Sequence, residues 1–153
     1  MIYKSIFSSP LGYIEICADG GDALTRIYFT STPSAEYSEN AVTQSAAAQL
    51  GEYFKGERKH FDVPLAPAGS TFEKEVWDAI CQIPYGEQRT YKELAAAVGD
   101  DKAARKAGQA TDTCPIAVLI PTHRVKGKAS FLATLSSENA VKEALLGMEE
   151  KYK

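Results

Sequence analysis

Residues 120–125 read Ile-Pro-Thr-His-Arg-Val and set a hydroxyl, Thr122, directly before an imidazole, His123, with the guanidinium of Arg124 next in line. A nucleophile beside a base, with the base oriented by a third group, is the general arrangement of covalent catalysis. A threonine hydroxyl activated in that way attacks carbonyl or phosphoryl centres. Toward a saturated carbon it is a poor nucleophile, because it is a far weaker acid than a thiol and harder than sulfur. Neighbouring residues on a strand point to opposite sides. Thr122 and His123 can therefore cooperate only at an irregular turn, and a hydrolase built on them has little support.

Other reactive groups are sparse. The three cysteines, Cys17, Cys81 and Cys114, form no close pair, and His60 and His123 lie far from any cysteine cluster. That spacing argues against a disulfide framework and against a structural zinc site. With no phosphate-binding loop and no metal spacing, neither a cofactor nor a metal is expected.

The elements that must position these groups fit a chain of 153 residues, which is room for one ordinary domain or two small ones. Hydrophobic residues at 44% and charged residues at 24% are ordinary for a soluble globular protein. No run approaches the roughly 18 apolar residues of a membrane span, and the N-terminus does not read as a signal peptide. The expected location is the cytoplasm, or the nucleus if the source has one, with no membrane partner. Charge is uneven: residues 1–85 carry 6 basic and 11 acidic side chains, whereas residues 86–128 carry 8 basic and 5 acidic. A basic window on an acidic protein is compatible with a nucleic-acid face and equally with a solvated surface.

The first third reads as β-rich. Ile2–Phe7, Tyr13–Ala18 and Leu24–Phe29 are short runs rich in β-branched and aromatic residues, separated by Ser-Pro-Leu-Gly and Gly-Gly turn signals. They predict an antiparallel meander, followed by a helix over Asn40–Phe54. The Gly-, Pro- and charge-rich stretch before residue 70 reads as a linker. Beyond it the spacing predicts a helix capped by Ser70 or Thr71 that buries Phe72, Val76, Trp77, Ile80 and Ile83. Thr90 caps a short helix with Glu93 as its capping-box partner. Asp100 or Asp101 caps a third, which carries Lys102, Arg105 and Lys106. Two short helices joined by a tight turn form the layout of a helix-turn-helix reader. Residues 114–125 read as a buried extended segment, and a helix capped by Ser136 or Ser137 closes the chain.

The segments Phe-Glu-Lys-Glu-Val-Trp from Phe72, Thr-Tyr-Lys-Glu-Leu from Thr90, Ala-Ala-Arg-Lys-Ala-Gly from Ala103 and Ile-Pro-Thr-His-Arg-Val from Ile120 together resemble one family, the methylated-DNA–protein-cysteine methyltransferases, or alkylguanine-DNA alkyltransferases. The resemblance runs over nearly the whole chain. It implies an α+β fold with an N-terminal ribonuclease-H-like α/β subdomain, residues 1–66, carrying the small antiparallel sheet. A mainly helical, winged helix-turn-helix-like DNA-binding subdomain would follow over residues 70–153. The implied partners are double-stranded DNA, including DNA that contains O6-alkylguanine, and other DNA repair proteins, and the expected state is a monomer. The family extrudes an alkylated guanine and moves the alkyl group onto its own cysteine, with no cofactor.

By resemblance Arg105 fills the hole left in the base stack, Tyr91 presses on the adjacent phosphate, and Lys102, Lys106 and Arg124 join the DNA face. Small residues such as Ala103, Ala104, Ala107 and Gly108 would let the helix approach the minor groove. His123 matches the base that acts through water, and Glu143 the carboxylate that orients it. Cys114, Val125, Leu135 and Ser136 fall at pocket positions. The sequence departs from the family at Thr122, which occupies the acceptor cysteine's place. It departs again at Cys114, where the family has asparagine, and after the signature, where Leu135 stands for a tyrosine and Ser137 and Glu138 for glycines. These departures predict an alkyltransferase-like protein that senses alkylated guanine by base flipping without transferring the alkyl group. The alternatives are an inactivated or unusual methyltransferase and a degenerate paralogue serving as a protein-interaction module.

Overall fold

The computed structural model describes residues 2–20, 22–100, 102–126 and 137–153. The chain divides into two compact units, residues 1–68 with 115–117, and residues 69–114 with 118–153.

The first unit is a three-stranded antiparallel sheet, β1 (Ile2–Ser9), β2 (Gly12–Asp19) and β3 (Arg26–Thr30), with one helix, α1 (Ala41–Phe54). A two-residue loop, Pro10–Leu11, joins β1 to β2, and Ser9 pairs with Gly12. Gly12 has φ of +123°, a conformation open only to glycine, which is why this turn signal carries one. Leu24, predicted to begin the third strand, makes an isolated bridge to Leu65 instead, and β3 starts at Arg26.

The register puts Ser5, Phe7, Ile14 and Ile16 on one face of the sheet. Helix α1 covers that face with Thr43, Ala46, Leu50 and Tyr53, a stripe at helical spacing. Asn40 caps α1 by accepting from the Thr43 amide, and Thr43 accepts from the Asn40 amide in return. The Ser5 hydroxyl lies 3.0 Å from that of Thr43 and donates to Glu39 at 2.6 Å.

The other face carries Lys4, Glu15 and Tyr28, and here a charge is buried. Glu15 accepts from the Ser34 amide at 2.5 Å and from the Tyr28 hydroxyl, with Lys4 Nζ 3.7 Å away. Burial alone would raise its carboxyl pKa. The bonds from Ser34 and Tyr28 and the Lys4 charge outweigh burial and hold it at about 2. This carboxylate thus ties the segment after β3 back onto the sheet.

The second unit holds α2 (Thr71–Cys81), β4 (Arg89–Thr90), α3 (Tyr91–Ala97), α4 (Ala104–Asp112), β5 (Val125–Lys126) and α5 (Ser137–Tyr152), with β4 and β5 paired in parallel. Ser70 and Thr90 cap α2 and α3 in reciprocal boxes with Glu73 and Glu93. Asp101 lies outside the described residues, and among those helix α4 has no side-chain cap. Its N-cap residue is Ala103, and Asp100 instead accepts from the Lys102 amide in the preceding turn. Trp77 of α2 is buried, and its indole N–H donates to the Ala110 carbonyl of α4 at 2.8 Å. A Cβ on Gly69 would fall 2.5 Å from the Trp77 ring, so the linker ends on a residue that lets the ring in.

The Glu15 network has a pH signature. A depressed carboxyl pKa adds stability above the ordinary value of 4.5 that is lost as pH falls toward 2. Glu15→Gln should flatten the fall in melting temperature across that interval and cost on the order of 1–3 kcal/mol at neutral pH. An unchanged acid profile in the variant would show that Glu15 is not the titrating anchor.

Candidate functional site

The segment from Cys114 to Val125 is not a strand. Ile116 makes an isolated parallel bridge to Ile27, in which the Ile27 amide donates to the Pro115 carbonyl and the Ala117 amide to the Ile27 carbonyl. The chain then bends sharply. Val118 is buried and sits at φ +67°, a region that β-branched residues rarely enter. Such strain costs on the order of 1–3 kcal/mol and persists only where the surroundings fix the backbone. The Ile27 ladder fixes it on one side, and the next turn fixes it on the other.

That turn begins at Pro121, with φ −77° and ψ 65°, and the Thr122 amide donates to the Ile120 carbonyl at 2.7 Å. This is an inverse γ-turn, for which the proline ring presets φ. Residues Thr122–Arg124 follow as one 3-10 turn, closed by the Arg124 amide on the Pro121 carbonyl at 2.9 Å. In a 3-10 turn successive side chains diverge by about 120°. Thr122 is accordingly half-buried, while His123 and Arg124 are buried. Thr122 holds the turn through its backbone.

The carboxylate beside His123 is Glu149, not Glu143. His123 Nε2 lies 2.5 Å from Glu149 Oε2, and Glu149 is fully buried, whereas Glu143 is exposed. The reason is helical phase. Glu149 is four residues after the buried Leu145 on α5, on the stripe facing the turn. Glu143 is two residues before Leu145, which turns it outward. That periodicity was available in the sequence and is the signal by which Glu149 could have been found.

Glu149 accepts three further bonds, from Arg124 Nε at 2.8 Å, Arg124 Nη2 at 3.0 Å and the Gly86 amide at 3.1 Å. Arg124 also donates to the Ile83 carbonyl at 2.9 Å and lies over the Tyr85 ring. It is therefore an internal ion-pair partner and not part of an exposed DNA face. Burial pushes the His123 pKa below its usual value, and Glu149 only partly offsets this. Burial thus favours the neutral imidazole, the state a base requires.

The remaining predicted residues separate into groups. Lys102, Arg105 and Lys106 are exposed at the start of α4, with Gln109 exposed farther along the helix. Tyr91 begins α3 and is half-buried. Ala103, Ala107 and Gly108 are buried, so they turn into the subdomain and not toward a groove. Cys114 is half-buried just before the Ile27 ladder, and Val125 is fully buried on β5. Leu135 and Ser136 lie outside the described residues.

The chain has relatives. Residues 71–151 match the family model described as 6-O-methylguanine DNA methyltransferase, DNA binding domain, and residues 2–67 match its ribonuclease-like domain. The chain belongs to the 6-O-methylguanine DNA methyltransferase family. It is 40% identical to a methylated-DNA–protein-cysteine methyltransferase of Methanosarcina acetivorans, over 97% of this chain and 98% of that one. The constitutive enzyme of that name from Bacillus subtilis is 38% identical over 97% of this chain and 96% of its own. Among solved structures, Mycobacterium tuberculosis OGT in complex with DNA superposes with a TM-score of 0.84 at 35% identity, covering 98% of this chain and 94% of that one. The α+β fold expected for the family is the fold observed.

Two variants separate the carboxylates. Glu149→Gln should cost on the order of 3–5 kcal/mol of unfolding free energy, because it strands the buried Arg124. Glu143→Gln, on the surface, should change it by no more than about 0.5 kcal/mol. Similar melting of the two in denaturant would displace Glu149 from the centre of the site. Histidine adds a pH dependence. A lowered pKa favours the neutral form in the fold, so its contribution is full above the ordinary 6.5 and declines as pH falls below it. His123→Gln should remove the onset of that decline, read from melting temperatures between pH 8 and 5.

Proposed function

We propose that the chain is an alkyltransferase-like DNA-binding protein of DNA repair that lacks the acceptor cysteine. In this reading it senses alkylated guanine by base flipping without transferring the alkyl group. The observation that carries the reading is the residue at the head of the 3-10 turn. A half-buried Thr122 hydroxyl stands where the family's signature has a thiol, beside a buried His123–Glu149 pair of the kind that would activate one. A neutral imidazole brings a thiol to useful thiolate levels near neutral pH. It cannot do the same for an alcohol, and displacement at a saturated alkyl carbon needs a soft, ionised nucleophile.

DNA binding rests on α4. Arg105 and Lys106 are exposed on α4 and Lys102 is exposed in the turn before it, and they can neutralise phosphates or, for Arg105, stack in the duplex. Tyr91 stands beside them at the start of α3. The relative solved with DNA supports DNA as the partner. Extruding a base takes a few kcal/mol of unstacking, and a side chain that fills the vacated place offsets part of it. The names of the relatives favour a second reading, in which this chain too is a methyltransferase and accepts the methyl group at another residue.

One experiment decides between them. Anisotropy titrations would use two short duplexes, one with a single O6-methylguanine and one unmodified, across a salt series. Intact-mass spectrometry of the incubated protein would follow. Salt-dependent binding that prefers the lesion, with no methyl gained by the protein, is the expected result. Arg105→Ala should weaken binding to the lesion about tenfold, within the 1–3 kcal/mol of a stacking contact. A methyl adduct on the protein would establish the second reading, and no binding at low salt would remove DNA altogether.

A further inference from the structure

Helix α4 carries a glycine in its interior, at Gly108, where glycine weakens a helix. The surroundings of Gly108 supply a packing reason for it. The resemblance places Gly108 among the small residues that would meet the minor groove, but Gly108 is buried while Arg105, Lys106 and Gln109 are exposed. It faces Tyr91. A Cβ built at Gly108 would fall 2.9 Å from Tyr91 Cε2, 3.0 Å from Cδ2 and 3.3 Å from Cζ. Carbon atoms rest at about 3.5–4.0 Å, so alanine here would drive the ring out. The ring cannot yield by moving its backbone, because the Thr90–Glu93 capping box fixes the first turn of α3 at Tyr91.

We propose that Gly108 is a positioning residue for DNA engagement: the space it leaves seats the Tyr91 ring against α4, one turn from Arg105, so that the phenol and the guanidinium meet the duplex at a fixed spacing. This rests on the DNA-binding reading above. Gly108 and Arg105 lie three residues apart on α4, about one turn of helix. Burial, reinforced by Asp112, keeps the Tyr91 phenol protonated well above neutral pH. A phenol in that state can donate to a phosphate oxygen, which a phenolate could not.

The test is a double-mutant cycle of Gly108→Ala and Tyr91→Ala, read in two ways on the purified full chain. The first reading is thermal melting without DNA. Gly108→Ala should lower the melting temperature when Tyr91 is present. It should raise it in the Tyr91→Ala background, where the space is free and alanine's helix preference prevails. Absence of that reversal would overturn the packing. The second reading is binding to a duplex with O6-methylguanine beside 2-aminopurine, whose fluorescence rises on unstacking. Gly108→Ala should weaken binding about as much as Tyr91→Ala, roughly tenfold, and lower the fluorescence at saturation. Added to Tyr91→Ala it should change the dissociation constant by less than about twofold. Equal losses in both backgrounds would mean that Gly108 itself meets DNA, and the positioning role would fall. If the unsubstituted protein binds neither this duplex nor an unmodified one, the DNA reading fails and the positioning role falls with it. The melting reversal would still report the Gly108–Tyr91 contact.

Discussion

A single buried carboxylate organises the second unit. Glu149 takes four polar contacts, from His123, twice from Arg124 and from the Gly86 amide. An anion removed from water is strongly unfavourable unless its lone pairs are met, and here they are met by a bidentate guanidinium, an imidazole and a backbone donor. The same contacts join three pieces of chain that are distant in sequence, namely the turn at 122–124, the bend at Gly86 and the last helix. Arg124 balances the negative charge, which leaves His123 free to stay neutral. The state of the imidazole is therefore a by-product of how the fold satisfies an internal ion pair.

This division separates reactivity from architecture. The turn bearing Thr122 is closed by backbone bonds on Ile120 and Pro121, and its buried side chains are those of His123 and Arg124. The residue at position 122 stands half-buried at the head of the turn. Exchange of a thiol for a hydroxyl there alters the chemistry available and leaves the carboxylate and its donors in place. The exposed cations of α4 are likewise borne by a helix anchored through the buried Trp77–Ala110 bond, which does not involve position 122.

Much of this was legible in the residues because it depends on local chemistry. The capping boxes at Ser70 and Thr90, the Gly12 turn and the amphipathic stripes are set within a few positions of one another, and each element formed close to where its signals stand. What the residues did not reveal depends on partners far along the chain. Arg124 reads as a surface cation until the Ile83 carbonyl, the Tyr85 ring and Glu149 close around it. Gly108 reads as a groove-facing small residue until Tyr91 fills its space. Asp100 has the composition of a helix cap, yet it closes the turn before α4. Glu149 is the exception, since the phase of Leu145 along α5 already separated it from Glu143.

The short ladder at residues 115–117 reaches beyond the site. These three residues belong to the N-terminal unit and occupy the outer side of β3 at Ile27. An uncovered strand edge is a template for pairing with other chains. A polypeptide released from the ribosome with only its first 70 residues would have that side of β3 open until some 45 more residues emerged. The segment that leads toward the Thr122 turn thus doubles as the shield of that edge. Loss of the Ile116–Ile27 bridge would therefore expose a pairing edge of the sheet as well as disturb the chain before the turn.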